Sequence, residues 1–153
     1  MAIHTMTHKY KTIYASEEAY YEDLYGMQEV IKKQTGIKTT LVRFPGGSSN
    51  TVSKKYCTGI MTRLTQDLKV RGFRYFDWNV DSNDAGGAKT ASQVFYNVTK
   101  GISKKDRAVV LQHDIKGFSV NAVEQIILWG LEQGYAFLPL DANSPECHHN
   151  IRN

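Results

Sequence analysis

Cysteine is scarce in this chain: there are two in 153 residues, Cys57 and Cys147. That number excludes the multi-disulfide framework of a small secreted scaffold. It leaves either two free thiols in a reducing compartment or a single disulfide in an oxidising one. Long apolar runs are missing as well. None approaches the roughly 18 residues of a membrane span, and the N-terminus lacks the charged-then-apolar pattern of a signal peptide. Taken as a complete product, such a chain is expected in the cytoplasm. Charge of one sign is not concentrated either. The formal net charge is +4, and Lys32-Lys33, Lys54-Lys55 and Lys104-Lys105 read as solvated helix faces, not as a nucleic-acid footprint. No Gly-x-Ser-x-Gly elbow occurs. Ser48-Ser49 follow Gly47 without that pattern and Cys57 falls inside a predicted helix, which argues against a serine or cysteine nucleophile.

What is present reads as one soluble globular domain over residues 1–153, with 41% hydrophobic and 22% charged residues. Strand and helix patterns alternate. Ser16 is placed as an N-cap, with Glu17 and Glu18 in the first turn and Tyr20, Leu24, Met27 and Ile31 on one face before Gly36. A strand is predicted over 37–44, a helix carrying Ile60, Met61, Leu64 and Leu68 up to Gly72, and a strand over 73–78. A helix over 89–100 and a strand over 107–112 come next. Ser119 then caps a helix with Val123, Ile126, Ile127 and Leu131 inward, ending at Gly134, and a last strand covers 135–140. Units of this size imply right-handed βαβ crossovers and a parallel sheet, open or curled into a barrel.

Polar residues gather where such folds do chemistry, at the carboxyl ends of strands. His4 and His8 are two imidazoles able to bind one zinc or similar ion, with a third ligand expected from elsewhere. Arg43-Phe44-Pro45-Gly46-Gly47 sets a guanidinium suited to a carboxylate before a rigid proline and two glycines that allow close backbone approach. The segment from Trp78 to Asp84 brings the carboxylates of Asp81 and Asp84 beside a large apolar ring; they could orient a histidine or simply make an Asx turn. Leu111-Gln112-His113-Asp114 places an imidazole at a strand end, where a neighbouring carboxylate would favour general acid chemistry.

Taken in order, His4-Thr5-x-x-His8, Arg43-x-Pro45-x-Gly47, Asp81-x-x-Asp84 and Leu111-x-His113-Asp114 resemble the second to fifth motifs of the polysaccharide deacetylases, the NodB homology domains of carbohydrate esterase family four. The resemblance covers essentially the whole chain. It implies an α/β fold, an incomplete (β/α) barrel of the NodB type with parallel strands and surrounding helices. It also implies metal-dependent removal of N-acetyl groups from an N-acetylglucosamine-type polysaccharide such as peptidoglycan or chitin. Under it His4 and His8 ligate zinc, or cobalt or nickel, and Thr5 steadies their loop. Gly46 N–H is an oxyanion donor and Arg43 holds the catalytic base. Asp81 tunes His113, the acid for the departing amine, and Pro45, Trp78 and Leu111 line the acetyl pocket. Family members act at the envelope or outside the cell.

One motif of the family is missing. The first, Thr-Phe-Asp-Asp-Gly, supplies the base and the third metal ligand, and no such segment occurs here. The chain therefore reads as the carboxyl-terminal three quarters of a deacetylase, whether a natural short product, a fragment, or a protein completed by another chain. Three expectations follow: weak zinc binding, an exposed barrel edge that drives a homodimer unless the N-terminus rearranges to cover it, and dependence on added residues for activity. The alternative is a non-catalytic carbohydrate-binding or assembly remnant. The tail Cys147-His148-His149 reads as a packed or flexible terminus in preference to a second metal site.

Overall fold

Ser16 opens the longest helix, as its place before two glutamates predicts. In the computed structural model, which describes residues 1–153, the Ser16 hydroxyl accepts from Ala19 N–H at 3.2 Å. A short helix, α1 (Tyr10–Ile13), precedes this one, α2 (Glu17–Thr35). Helix α2 ends at Gly36, whose φ of 75° is the left-handed closure that glycine adopts without strain. The chain divides into two compact units, Met1–Asp77 with Leu140–Asn153, and Trp78–Pro139.

In the first unit β1 (Leu41–Val42) pairs in parallel with β2 (Arg74–Tyr75), Leu41 opposite Arg74 and Val42 opposite Tyr75. Ile3 adds a parallel bridge to Val42, donating to Leu41 O at 2.8 Å and accepting from Arg43 N–H at 2.9 Å. Helix α3 (Ile60–Val70) follows a 3-10 turn at Ser53–Lys55. Ile3, Leu24, Val42, Phe44, Ile60, Leu64, Leu68 and Tyr75 belong to one buried cluster. Each such side chain contributes on the order of 1.5–3 kcal/mol relative to exposure. The register sets three backbone tracks side by side, and their next residues are His4, Arg43 and Phe76-Asp77.

The tail closes this unit. Asp77 N–H donates to Cys147 O at 2.7 Å, Ile151 packs on the core, and Asn153 Oδ1 accepts from Met61 N–H at 3.2 Å. Gly59, at the N-cap of α3, has no side chain to cap with, so Asn153 serves in its place. His148 lies flat on Tyr75, ring centroids 3.8 Å apart, and donates from Nε2 to Tyr75 O at 2.9 Å. The tail is thus packed, as expected.

In the second unit β3 (Val80–Asp81) pairs in parallel with β4 (Val110–Leu111), Val80 opposite Val110. Helices α4 (Ala91–Ile102) and α5 (Gly117–Glu132) cover them around Val80, Ala88, Val94, Val98, Ile102, Ala122 and Ile126. Thr90 caps α4 by accepting from Gln93 N–H at 3.3 Å.

Several expectations need correction. Every strand is two residues long, and β3 falls where a loop was predicted. Residues 135–140 form no strand: after Gly134 the chain folds over α5, where a Cβ on Gly130 would meet the Phe137 ring at 2.6 Å. Ser119 does not cap α5; Lys116 holds that position, because the Ser119 hydroxyl is taken by Asp84 at 2.6 Å. The inward face of α5 is Ser119, Ala122, Ile126 and Gly130, while Val123, Ile127 and Leu131 are exposed. Ser119 is turned inward by its bond to Asp84 and Gly130 lies against Phe137, and an all-round apolar helix gives periodicity little to choose from. Cys57 lies in a turn, not a helix. No helix is long and apolar enough to cross a membrane.

One buried polar atom gives a direct stability test. Tyr20 is fully buried in the aromatic core, and its hydroxyl has no hydrogen-bond partner. Tyr20→Phe removes that uncompensated group and is expected to raise unfolding free energy by about 1 kcal/mol in urea titration. A loss of similar size would show that the hydroxyl is satisfied in solution.

Candidate active site

In the first unit the histidine loop leaves the sheet just after Ile3. Two of its residues lie in the left-handed region, Thr5 at φ 63° and His8 at φ 54°. Such backbone persists only when its surroundings hold it. The holder is Asp23 of α2, which is buried and accepts from Met6 N–H at 2.6 Å, Thr7 N–H at 3.1 Å and Thr7 Oγ1 at 2.7 Å. Thr5, expected to steady the loop, has a buried hydroxyl with no partner. Asp23 had no signal in the sequence beyond being a carboxylate on an apolar helix face.

His4 donates from Nδ1 to Arg43 O at 2.8 Å. This fixes the tautomer and places the imidazole lone pair on Nε2, the arrangement that backbone carbonyls impose on metal-ligating histidines. The His4 and His8 rings lie 5.1 Å apart, centroid to centroid. Two exposed imidazoles so placed suit two positions of a tetrahedral divalent cation. No group of three His, Cys, Asp or Glu side chains that could hold an ion occurs, so they fit as half of such a site. Asp23→Ala is expected to release the loop and weaken cobalt binding by about 10–100-fold, read by absorption titration. Unchanged affinity would mean the loop holds its shape without Asp23.

The adjoining turn carries Pro45 and Gly46. Gly47 N–H closes it onto Phe44 O at 2.8 Å, a bond that does not use Gly46 N–H, and Pro45 O accepts from the buried Tyr14 hydroxyl at 2.8 Å. Gly46 is required: its φ is 76°, and a Cβ there would run into the Tyr10 hydroxyl. Arg43 donates from Nε to Phe76 O and from Nη2 to Asp77 O, both at 3.3 Å. Asp77 itself is wholly buried and accepts from Ser48 N–H at 2.7 Å, from the Ser48 hydroxyl, and from His149 N–H at 2.9 Å. Ser48, Asp77 and His149 together fix this turn against the tail, an arrangement made by residues far apart in the chain.

In the second unit the partner of His113 is Asp84, not Asp81. Asp84 Oδ1 accepts from His113 Nδ1 at 2.7 Å, and Oδ2 accepts from His113 N–H at 2.7 Å and Ser119 Oγ at 2.6 Å. Lys116 Nζ donates to its backbone oxygen at 2.7 Å. Burial by itself would raise the Asp84 pKa, but the hydrogen bonds from Ser119, His113 and Ser82 outweigh it and bring the carboxyl down to about 2. Asp81 is exposed and busy locally, accepting from Trp78 Nε1 at 3.2 Å and Asn83 N–H at 2.8 Å, the Asx turn that the sequence left open. Both of its oxygens are engaged in these local bonds, which leaves the role expected of it to Asp84. The strand ends are thus divided, Arg43 and Asp77 in the first unit and Asp84 and His113 in the second.

A family model described as polysaccharide deacetylase matches residues 1–64. The peptidoglycan-N-acetylglucosamine deacetylase of Bacillus cereus is 30% identical over 160 residues, covering 99% of this chain and 52% of its own length. The chain spans about half the length of the curated relatives it matches. Among solved structures, a polysaccharide deacetylase from Bacillus cereus is 29% identical with a TM-score of 0.78, over 98% of this chain and 69% of that one. The catalytic domain of a peptidoglycan N-acetylglucosamine deacetylase from Eubacterium rectale is 56% identical with a TM-score of 0.98, over 99% of this chain and 70% of that one. Likeness of that degree over the whole chain, with the histidine, arginine and aspartate–histidine motifs in place, makes this protein a member of the polysaccharide deacetylase family.

Proposed function

We propose that the protein removes N-acetyl groups from an N-acetylglucosamine-type polysaccharide, peptidoglycan or a chitin-like polymer, by metal-assisted hydrolysis at the cell envelope. The observation that supports this best is the His113–Asp84 pair. Asp84 keeps a hydrogen bond on Nδ1, so Nε2 is the atom that gives a proton to the departing amine as the amide C–N bond breaks. Ser119 and the His113 backbone hold Asp84 as the carboxylate.

The other roles fall to residues already described. Gly46 N–H is the donor for oxyanion charge, in a turn held by Tyr14 and Asn50, whose Nδ2 donates to Gly47 O at 3.0 Å. Arg43 holds a carboxylate base in place, and Trp78 and Leu111 offer apolar surface to the acetyl methyl. His4 and His8 hold zinc, cobalt or nickel; such an ion, when bound, polarises a carbonyl and acidifies a water. Neither the base nor a third ligand is assigned to a residue of this chain.

A second reading, a non-catalytic carbohydrate-binding or assembly protein, is favoured by the lack of a third ligand near His4 and His8. Acetate release from peptidoglycan and from chitooligosaccharide, with zinc or cobalt and with or without a peptide carrying Thr-Phe-Asp-Asp-Gly, separates the two. Release under any of these conditions supports the hydrolase, and glycan binding without release supports the other. A homodimer formed through the edge of the incomplete barrel belongs to the same proposal. A clean monomer in sedimentation at high concentration would remove it.

A further inference from the structure

Helix α1 begins at Tyr10 and is closed one turn later by Tyr14. Residues four apart share a helix face, and both of these tyrosines reach the turn that holds Gly46. Their hydroxyls end differently. Tyr14 is buried and donates to Pro45 O at 2.8 Å, which fixes the turn. Tyr10 is half-buried, and its ring stands edge-on to that of Tyr14, centroids 5.4 Å apart. Its backbone oxygen accepts from Tyr14 N–H at 3.0 Å, so ring and main chain are both held in place.

The Tyr10 hydroxyl lies where a side chain on Gly46 would begin. A Cβ at Gly46 runs into Oη and comes to 3.3 Å of Cζ, and Gly46 itself is exposed. The Tyr10 ring is also 5.8 Å from that of His8, centroid to centroid. The residue thus adjoins both the histidine loop and the turn.

Two donors stand there without an acceptor. Gly46 N–H takes no part in the bond that closes the turn, and no group of the chain accepts from it or from Tyr10 Oη–H. Burial is not the reason for Tyr10. Thr5, Tyr20 and Tyr21 have hydroxyls shut away from water without a partner, and that of Tyr10 is not one of them. A hydroxyl sealed in a core is a cost, whereas one open to solvent is answered by water until a ligand replaces it. A phenol keeps its proton at neutral pH, so the group is offered as a donor. A held donor beside a backbone N–H, at an exposed turn, is the pattern that takes up charge developing on an oxygen.

We propose that Tyr10 is a second oxyanion donor: its Oη–H, with Gly46 N–H, holds the acetyl oxygen as the amide carbon becomes tetrahedral. The phenol proton stays on Oη throughout. The identity of that oxygen rests on the deacetylase reading; the two unpaired donors do not.

Tyr10→Phe removes Oη and keeps the ring against Tyr14 and His8. The first measurement needs no turnover. Methylphosphonate, whose tetrahedral anionic oxygens copy an acetyl group with water added, is titrated calorimetrically into the zinc-saturated chain. Wild type should bind it, and the variant about tenfold more weakly, the size of one hydrogen bond to a charged group, with zinc affinity unchanged. The second measurement is acetate release from chitotetraose with zinc and the Thr-Phe-Asp-Asp-Gly peptide, where kcat should fall about a hundredfold with KM unchanged. Equal binding of methylphosphonate by the two proteins, or no binding by either, would overturn the proposal. So would a fall in zinc affinity, which makes Tyr10 a ligand, or a rise in KM alone, which makes it a contact to a sugar hydroxyl. If methylphosphonate discriminates while neither protein releases acetate, the deacetylase reading is at fault and the donor stands. If wild type releases acetate and the variant matches it, the donor is at fault.

Discussion

Asp84→Asn is expected to reduce acetate release by about 10²–10⁴-fold, the range that a positioned acid contributes. The substitution keeps the volume of the side chain but replaces one acceptor oxygen by a donor, in a setting where His113 Nδ1–H, His113 N–H and Ser119 Oγ–H all donate. One of them is left facing another donor. His113→Gln should give a loss of the same order, and the double variant little more, because the two residues act as one unit. Full activity in either single variant would remove His113 from the reaction. Acid sensitivity supplies an independent reading. The Asp84 carboxyl titrates near 2 in the folded chain, below the ordinary unfolded value of about 3.9. A depressed carboxyl pKa stabilises the fold above the unfolded value and loses that contribution as pH falls through the folded one, so unfolding free energy should drop between about pH 4 and pH 2. In Asp84→Asn this part of the slope should be missing.

His4→Ala and His8→Ala are the other large changes. Each leaves one imidazole where the wild type has two, and each should lower zinc affinity by more than about a hundredfold, since even partners of ligands account for 10–100-fold. Both residues are exposed, so the fold itself should survive. Zinc titration of the unaltered chain should give an affinity well short of nanomolar, because two imidazoles leave the remaining positions to water. A nanomolar constant would mean that a third protein ligand closes on the ion.

Much of this was legible in the residues. The N-cap at Ser16, the glycine stop at Gly36 and the period of α3 are local, and local chemistry decides them. The order of four motifs, at His4–His8, Arg43–Gly47, Asp81–Asp84 and Leu111–Asp114, carried the resemblance to the family. The partner of His113 was not legible: Asp81 and Asp84 stand three residues apart, and only the folded chain shows Asp81 engaged by Trp78 and Asn83 and Asp84 bonded to the histidine. Asp23 and Ser119 escaped for a related reason. Each lies on a helix and acts on a loop distant in sequence, so no motif contains both parties. The inward face of α5 was misread because packing selected Ala122 and Gly130 over larger neighbours.

The route of the chain through its two units has a consequence for how the molecule is made. Residues 78–139 are continuous, whereas the first unit needs residues from both ends, including Asn153 at the start of α3. A ribosome therefore releases residues 78–139 while the first unit is still open, and that unit closes only after residues 140–153 have emerged. Deletion of residues 149–153 should consequently damage α3 and the Asp77 turn, whose contacts lie 92 and 72 residues earlier in the chain, before it touches residues 78–139.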